Sequence, residues 1–270
     1  MNLKQYGVSP NMEKEVSYRF IAHLTGLLLA FESMLLLACC CVSMIYGERD
    51  LMSFVISFAV CLSVSAILLI YGRRKKCAMS RNEGYIVVAL SWVFFSVFGM
   101  VPYLWGGFIP NITDAFFETM SGFTTTGATI LDNIDSMPHG ILFWRSLTQW
   151  IGGLGIVCFT IVLLPGFGAS SQMLYLSEAT GVTHNKLCPK TRVMARYIFM
   201  VYILLTAVES ALLMAGGMGL FDALCHSMTT TATGGFSTKQ ESIAYWYSVC
   251  SEQWNMKSDG DYLHFFCHSF

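Results

Sequence analysis

At 270 residues, 54% of them apolar and only 12% charged, the chain carries about half the charged fraction of a soluble domain, which is roughly a quarter. A formal charge of −1 says nothing about a charged partner, and no basic stripe interleaved with aromatics points to nucleic acid. The ten cysteines do not form a secreted disulfide framework, because Cys39, Cys40, Cys41, Cys61 and Cys158 lie inside apolar runs, where they are expected as small packing residues.

Residues 1–16 are polar, with Lys4, Glu13, Lys14 and Glu15, and no short apolar core with a small-residue cleavage site follows them, so the first span is expected to stay in the protein. Runs such as Leu27 to Tyr46 and Leu51 to Tyr71 approach or reach the roughly 20 residues that cross a bilayer. They open a series of five predicted spans at about 17–46, 50–72, 84–106, 139–165 and 194–216.

Basic residues set the orientation. Lys4, Lys14 and Arg19 precede or begin the first span; Arg73, Arg74, Lys75, Lys76 and Arg81 separate the second and third; Lys186, Lys190, Arg192 and Arg196 lie between the fourth and fifth. The positive-inside rule makes those regions, and so the N-terminus, cytoplasmic. Of the chain's 16 basic residues only Arg49, Arg145, Lys239 and Lys257 fall on or near the opposite side.

The external segment 107–138 is too long for a simple turn. Its apolar stretch Ala115 to Phe123, about a third of a span, suits a re-entrant half-helix, with Thr113 or Asp114 as the expected N-cap. Irregular backbone at membrane depth is tolerated only where protein buries it or it lines a water-filled cavity.

This segment repeats after the fifth span, without gaps, at an offset of 108 residues. Asp114-Ala115 falls on Asp222-Ala223, Met120 on Met228, Thr125 on Thr233 and Gly127 on Gly235. In both copies a short helix beginning near an Asp is followed by a Thr/Gly-rich stretch, Thr124-Thr125-Thr126-Gly127 or Thr231-Ala232-Thr233-Gly234-Gly235. Taken singly, either stretch fits an ordinary polar loop. Two copies in register, each at the external end of an apolar span, point instead to a pore loop. Backbone carbonyls there replace the hydration shell of a potassium ion, and glycine supplies the positive φ that turns consecutive carbonyls to one axis. The short helix directs its negative C-terminal end at the ion.

The run Asp114-Ala-Phe-Phe-Glu-Thr-Met-Ser-Gly-Phe-Thr-Thr-Thr-Gly-Ala-Thr129, the later Arg145-Ser-Leu-Thr-Gln-Trp-Ile-Gly-Gly-Leu-Gly155 and Thr231-Ala-Thr-Gly-Gly-Phe-Ser-Thr238 resemble the pore subunit of the bacterial Trk potassium uptake system, in the Trk/Ktr/HKT superfamily, over about residues 15–245. The resemblance implies an all-α integral membrane fold: four tandem helix–pore-loop–helix repeats of potassium-channel type around one ion path, preceded by two extra transmembrane helices. Residues 17–76 match the extra pair, 84–165 the first repeat, 166–193 a cytoplasmic linker and 194–245 part of the second repeat. The family's filter glycines map onto Gly127 and Gly235, joined by the carbonyls of Thr124, Thr125, Thr126, Ala232, Thr233 and Gly234. Potassium is then the transported substrate and the only metal, with no cofactor in the chain. The implied setting is the bacterial inner membrane, as a homodimer under a cytoplasmic nucleotide-binding regulatory ring.

Residues 246–270 depart from that pattern. Where a long apolar helix is expected, the chain carries Glu252, Lys257, Asp259 and Asp261, and Asp or Lys costs roughly 2.5–3.5 kcal/mol near the centre of a helix. A lost reading frame or a truncation within the second of four repeats is the expectation; a non-conducting remnant or assembly subunit is the alternative function.

Other residues carry competing readings. Gly152, Gly153 and Gly155 are expected as close helix contacts, or as a bend, and Arg145 as a snorkelling anchor. Glu118 and His226 occupy equivalent positions in the two short helices, facing the vestibule or holding polar contacts behind the filter. Glu32 and Glu209 lie deep in apolar runs but apart from each other, which argues against a membrane enzyme. His264, Cys267 and His268 lack the spaced pairs of a zinc site.

Overall fold

The computed structural model describes residues 18–72, 81–167, 188–242 and 244–246. The polar N-terminus, the basic segment 73–80, most of the linker and the tail from 247 onward, with His264, Cys267 and His268, lie outside the described residues, as does the side chain of Cys158.

Regular structure among the described residues is entirely helical: α1 (Tyr18–Tyr46), α2 (Leu51–Tyr71), α3 (Arg81–Gly99), α4 (Val101–Trp105), α5 (Ile112–Phe123), α6 (His139–Phe167), α7 (Cys188–Ala215) and α8 (Leu220–Thr231). Four apolar stretches among the described residues are long enough to cross a membrane, in α1, α2, Ile86–Trp105 and Ala195–Ala215. At 29 residues α6 is about 43 Å long, also sufficient for a crossing. The short helices α5 and α8, with 12 residues each, reach less than half that distance.

The third span differs from its expected form. It breaks at Met100, and Val101–Trp105 form a separate turn with Pro102 in its first positions. Proline has no N–H to continue the ladder and is favoured where a helix restarts.

α1 and α2 pack closely because small residues line their contact. A Cβ on Gly26 meets Leu68 and Leu69 at 3.1 Å, Ser65 Oγ donates to the Gly26 carbonyl at 2.7 Å, and Cys61 Sγ to that of Leu29 at 3.3 Å. Glu32 is fully buried in this seam, its Oε2 accepting from Cys61 Sγ at 3.9 Å, while its Oε1 has no hydrogen-bond partner among the described residues. Cys39, Cys40 and Cys61 are buried; Cys41 faces outward.

The turn joining α1 to α2 also fixes the start of α6. Glu48 Oε2 accepts from the His139 backbone N–H at 2.5 Å, its Oε1 lies 2.7 Å from His139 Nδ1, and the imidazole stacks on Tyr46 with centroids 4.0 Å apart. A negative group at a helix N-terminus faces the positive end of the dipole. Asp50 beside it is fully buried and accepts from Ser43 Oγ.

Candidate functional site: two loops of one design

Both short helices end in the same backbone figure. In the first loop Thr124 N–H donates to the Met120 carbonyl, Thr125 N–H to Gly122 and Thr126 N–H to Ser121, at 2.9–3.0 Å. In the second, Ala232 donates to Met228, Thr233 to Thr230 and Gly234 to Thr229, at 2.8–3.2 Å. Every donor and acceptor of one set is displaced by 108 residues from the other. The left-handed residues follow the same rule: Thr125 has φ 55° and Thr233 57°, Gly127 75° and Gly235 84°. A non-glycine residue at positive φ is uncommon and is held only where its surroundings over-determine it.

Alternation of left-handed with ordinary backbone turns successive peptide groups about one line, which is what a row of carbonyl ligands requires. The two rows are adjacent: a Cβ on Gly127 overlaps the carbonyl oxygen of Gly234. Among the eight expected filter residues, Thr126, Thr233 and Gly235 are exposed, whereas Ala232 and Gly234 are buried against α6 and its neighbours.

The start of α5 corrects one expectation. Neither Thr113 nor Asp114 is the cap; Asn111 is, its side-chain oxygen accepting from Thr113 N–H at 3.1 Å, with Asp114 inside the first turn. In α8 the cap is Gly219, and Asp222 accepts instead from the Thr238 hydroxyl at 2.6 Å, tying the helix start to the end of its own loop. Asn111→Ala is expected to cost about 1 kcal/mol, read as a lower thermal unfolding midpoint in detergent, with Asn111→Asp close to the parent.

α6 is the support on which both loops rest. On one side Gly122 and Gly152 allow close approach: a Cβ on Gly122 overlaps Thr148 Oγ1, and a Cβ on Gly152 overlaps the carbonyl of Phe123, the last residue of α5. A Cβ on Gly153 meets Tyr202 Oη at 2.8 Å and Ala232 at 3.0 Å, but one on Gly155 meets none of the described residues within 4 Å. Among the described residues two of the three glycines are therefore contacts, and the third is not.

On the other side α6 holds the second loop through polar atoms. Gln149, fully buried, accepts from Phe236 N–H at 3.1 Å. Arg145 is not a snorkelling anchor, since it is 1% exposed and its Nε donates to Glu118 Oε1 at 2.9 Å. Its other nitrogens donate to the Ser237 carbonyl at 3.2 Å and the Thr129 hydroxyl at 3.1 Å, and its guanidinium lies 4.2 Å from the Phe236 ring centroid. Glu118 is fully buried, and also accepts from Thr129 Oγ1 and from Ile130 N–H, at 2.9–3.0 Å. At the equivalent place in the second loop His226 Nε2 is 3.4 Å from Ser237 Oγ. The sequence pairs Glu118 with His226, but not Glu118 with Arg145; no spacing rule links residues 27 apart.

Glu209 belongs to neither group. It lies half-buried on α7, where Thr231 Oγ1 approaches Oε2 at 3.3 Å. Thr231 also joins Thr206, and through it Trp150, so this network ties α7 to α6 and to the end of α8.

A family model described as TrkH, cation transport protein, matches residues 50–258. The Trk system potassium uptake protein TrkH of Salmonella typhimurium is 38% identical over 234 residues, 86% of this chain and 48% of the relative. The protein of the same description from Halomonas elongata is 35% identical over 88% of this chain and 50% of its own length. The crystal structure of the potassium transporter TrkH from Vibrio parahaemolyticus superposes with a TM-score of 0.73 at 35% identity, over 85% of this chain and 46% of that one. The chain spans about half the length of the curated relatives it matches.

Proposed function

The chain belongs to the TrkH family of cation transport proteins, and from that premise we propose that it lines a potassium-selective path across the bacterial inner membrane, its N-terminus in the cytoplasm. The observation that carries this reading is the repeated backbone figure at Thr124–Gly127 and Ala232–Gly235, with left-handed φ at the same two places in each copy. Carbonyls arranged in this way exchange with the hydration shell of a monovalent cation and leave it free to move on. The ion runs down its electrochemical gradient, to which the membrane potential contributes about 2.3 kcal/mol per charge per 100 mV. Potassium is the substrate rather than a resident cofactor.

On this reading residues 84–165 are one helix–pore-loop–helix repeat, 194–245 part of a second, and 17–76 an appended pair. Two such loops supply two sides of a fourfold filter. Completing it takes a second copy of this chain, as a homodimer, or further repeats of the four that the resemblance implies; a cytoplasmic nucleotide-binding ring is the proposed regulator. The polar residues Glu252, Lys257, Asp259 and Asp261, where the second repeat would continue as an apolar helix, favour one further reading, a remnant or assembly subunit that does not conduct by itself.

Potassium-limited growth of an uptake-deficient bacterium expressing this chain separates the two. Rescue at low potassium, with rubidium uptake above the empty-vector level, is the expected result; no rescue by chain that is demonstrably in the membrane supports the assembly reading.

A further inference from the structure

We infer that the buried Glu118–Arg145 ion pair is a positioning device that sets the spacing of the two filter segments and thereby their preference for potassium over sodium. The inference rests on the filter reading above. It concerns residues that touch no ion path themselves and act only through the backbone they hold.

Four observations carry it. The pair is inaccessible, at 1% and 0% side-chain exposure, in a protein whose other described ion pairs, His139–Glu48 and Lys239–Asp135, are partly exposed. A buried pair of this kind offsets its desolvation only when further hydrogen bonds satisfy the remaining atoms. Here they do: both Glu118 oxygens and all three Arg145 nitrogens have partners.

Those partners belong to both loops. Thr129 and Ile130 lie two and three residues past Gly127; Ser237 lies two past Gly235, and its carbonyl is held by Arg145. Thr129 Oγ1 is at the centre, donating to Glu118 while accepting from Arg145 Nη2 and from Leu131 N–H at 3.2 Å. Planar guanidinium geometry fixes both distance and angle, which a lysine ammonium does not. One rigid fork therefore spans from the outgoing strand of the first loop to that of the second.

Among the described residues the second copy shows no such fork; Gln253, in register with Arg145, lies outside them. The residues equivalent to Glu118 and Thr129 are His226 and Ser237, which meet at 3.4 Å as neutral or singly charged partners. The device belongs to the first repeat and reaches across to the second. Potassium and sodium differ in radius by a few tenths of an ångström, so a filter whose two rows can slide apart or together loses the difference.

The test is cation-dependent thermal unfolding of the purified full chain in detergent, titrating potassium chloride against sodium chloride with choline chloride to hold ionic strength. Unfolding is followed by tryptophan fluorescence. The parent is expected to be stabilised at lower potassium than sodium; equal midpoints in the two salts would overturn the filter reading, and this inference with it. Given that parent preference, Glu118→Gln and Thr129→Val are each expected to shrink the ratio of apparent sodium to potassium constants by about tenfold, the factor that corresponds to about 1.4 kcal/mol. Arg145→Lys is expected to keep the fold and lose the ratio, because it retains charge without the fork. Thr129→Val decides the matter should Glu118→Gln fail to fold, since it removes one hydroxyl and leaves the ion pair in place. Folded variants that keep the parental ratio would overturn the positioning role while leaving the filter reading intact.

Discussion

Gly127→Ser is expected to abolish potassium-dependent growth and rubidium uptake while leaving the chain in the membrane. Two independent penalties meet at this residue. Its φ of 75° is left-handed, and a side chain there costs about 1–2 kcal/mol. A Cβ also overlaps the Gly234 carbonyl oxygen, so the neighbouring loop has to move for serine to fit. Gly235 separates the two effects, since its φ is 84° but none of the described residues lies within 4 Å of a Cβ built on it. Gly235→Asn, a residue that tolerates the left-handed region, is therefore expected to fold with a smaller fall in thermal midpoint than Gly127→Ser. Near-parental uptake by Gly127→Ser would sink the filter assignment; uptake lost by Gly127→Ser but retained by Gly235→Asn would show that crowding of the facing carbonyl, not backbone freedom, is the tighter constraint.

The parts of this fold that could be read from sequence are those in which one residue determines its own surroundings. Hydropathy runs give the spans, because the bilayer imposes length directly. The 108-residue offset gives the two loops, because glycine and threonine at matched places bias the backbone locally, and the hydrogen bonds ending α5 and α8 repeat at the same offset. Legibility fails where a residue is defined by what faces it. Arg145 in an apolar helix suggests an interfacial anchor until Glu118 is placed opposite, and that pairing depends on how α5 folds back against α6. Asn111 could not be preferred over Thr113 or Asp114 as the cap, since all three side chains can accept from a backbone N–H. The glycines of α6 show the same limit: residues 152, 153 and 155 look alike in a row, yet among the described residues only the first two are in contact.

That contrast yields the second large effect. In a helix alanine is favoured over glycine by about 0.8–1.0 kcal/mol, so Gly→Ala substitution with free space is expected to be neutral or mildly stabilising. Gly155→Ala meets that condition. Gly152→Ala does not, because the added methyl overlaps the main-chain carbonyl of Phe123, an atom that cannot rotate away. Overpacking of this sort costs typically 1–3 kcal/mol, and the displaced group is the final carbonyl of α5, immediately before Thr124. The strain is therefore delivered to the start of the first loop, the proposed filter row. Gly152→Ala is expected to lower the thermal midpoint and to reduce potassium preference together, while Gly155→Ala, three residues along the same helix, leaves both unchanged. Equal behaviour of the two variants would mean that α6 supports the loops by its length and hydrophobicity alone; divergence would place the close approach at Gly152 among the determinants of the ion path, alongside the fork at Arg145 two helical turns away.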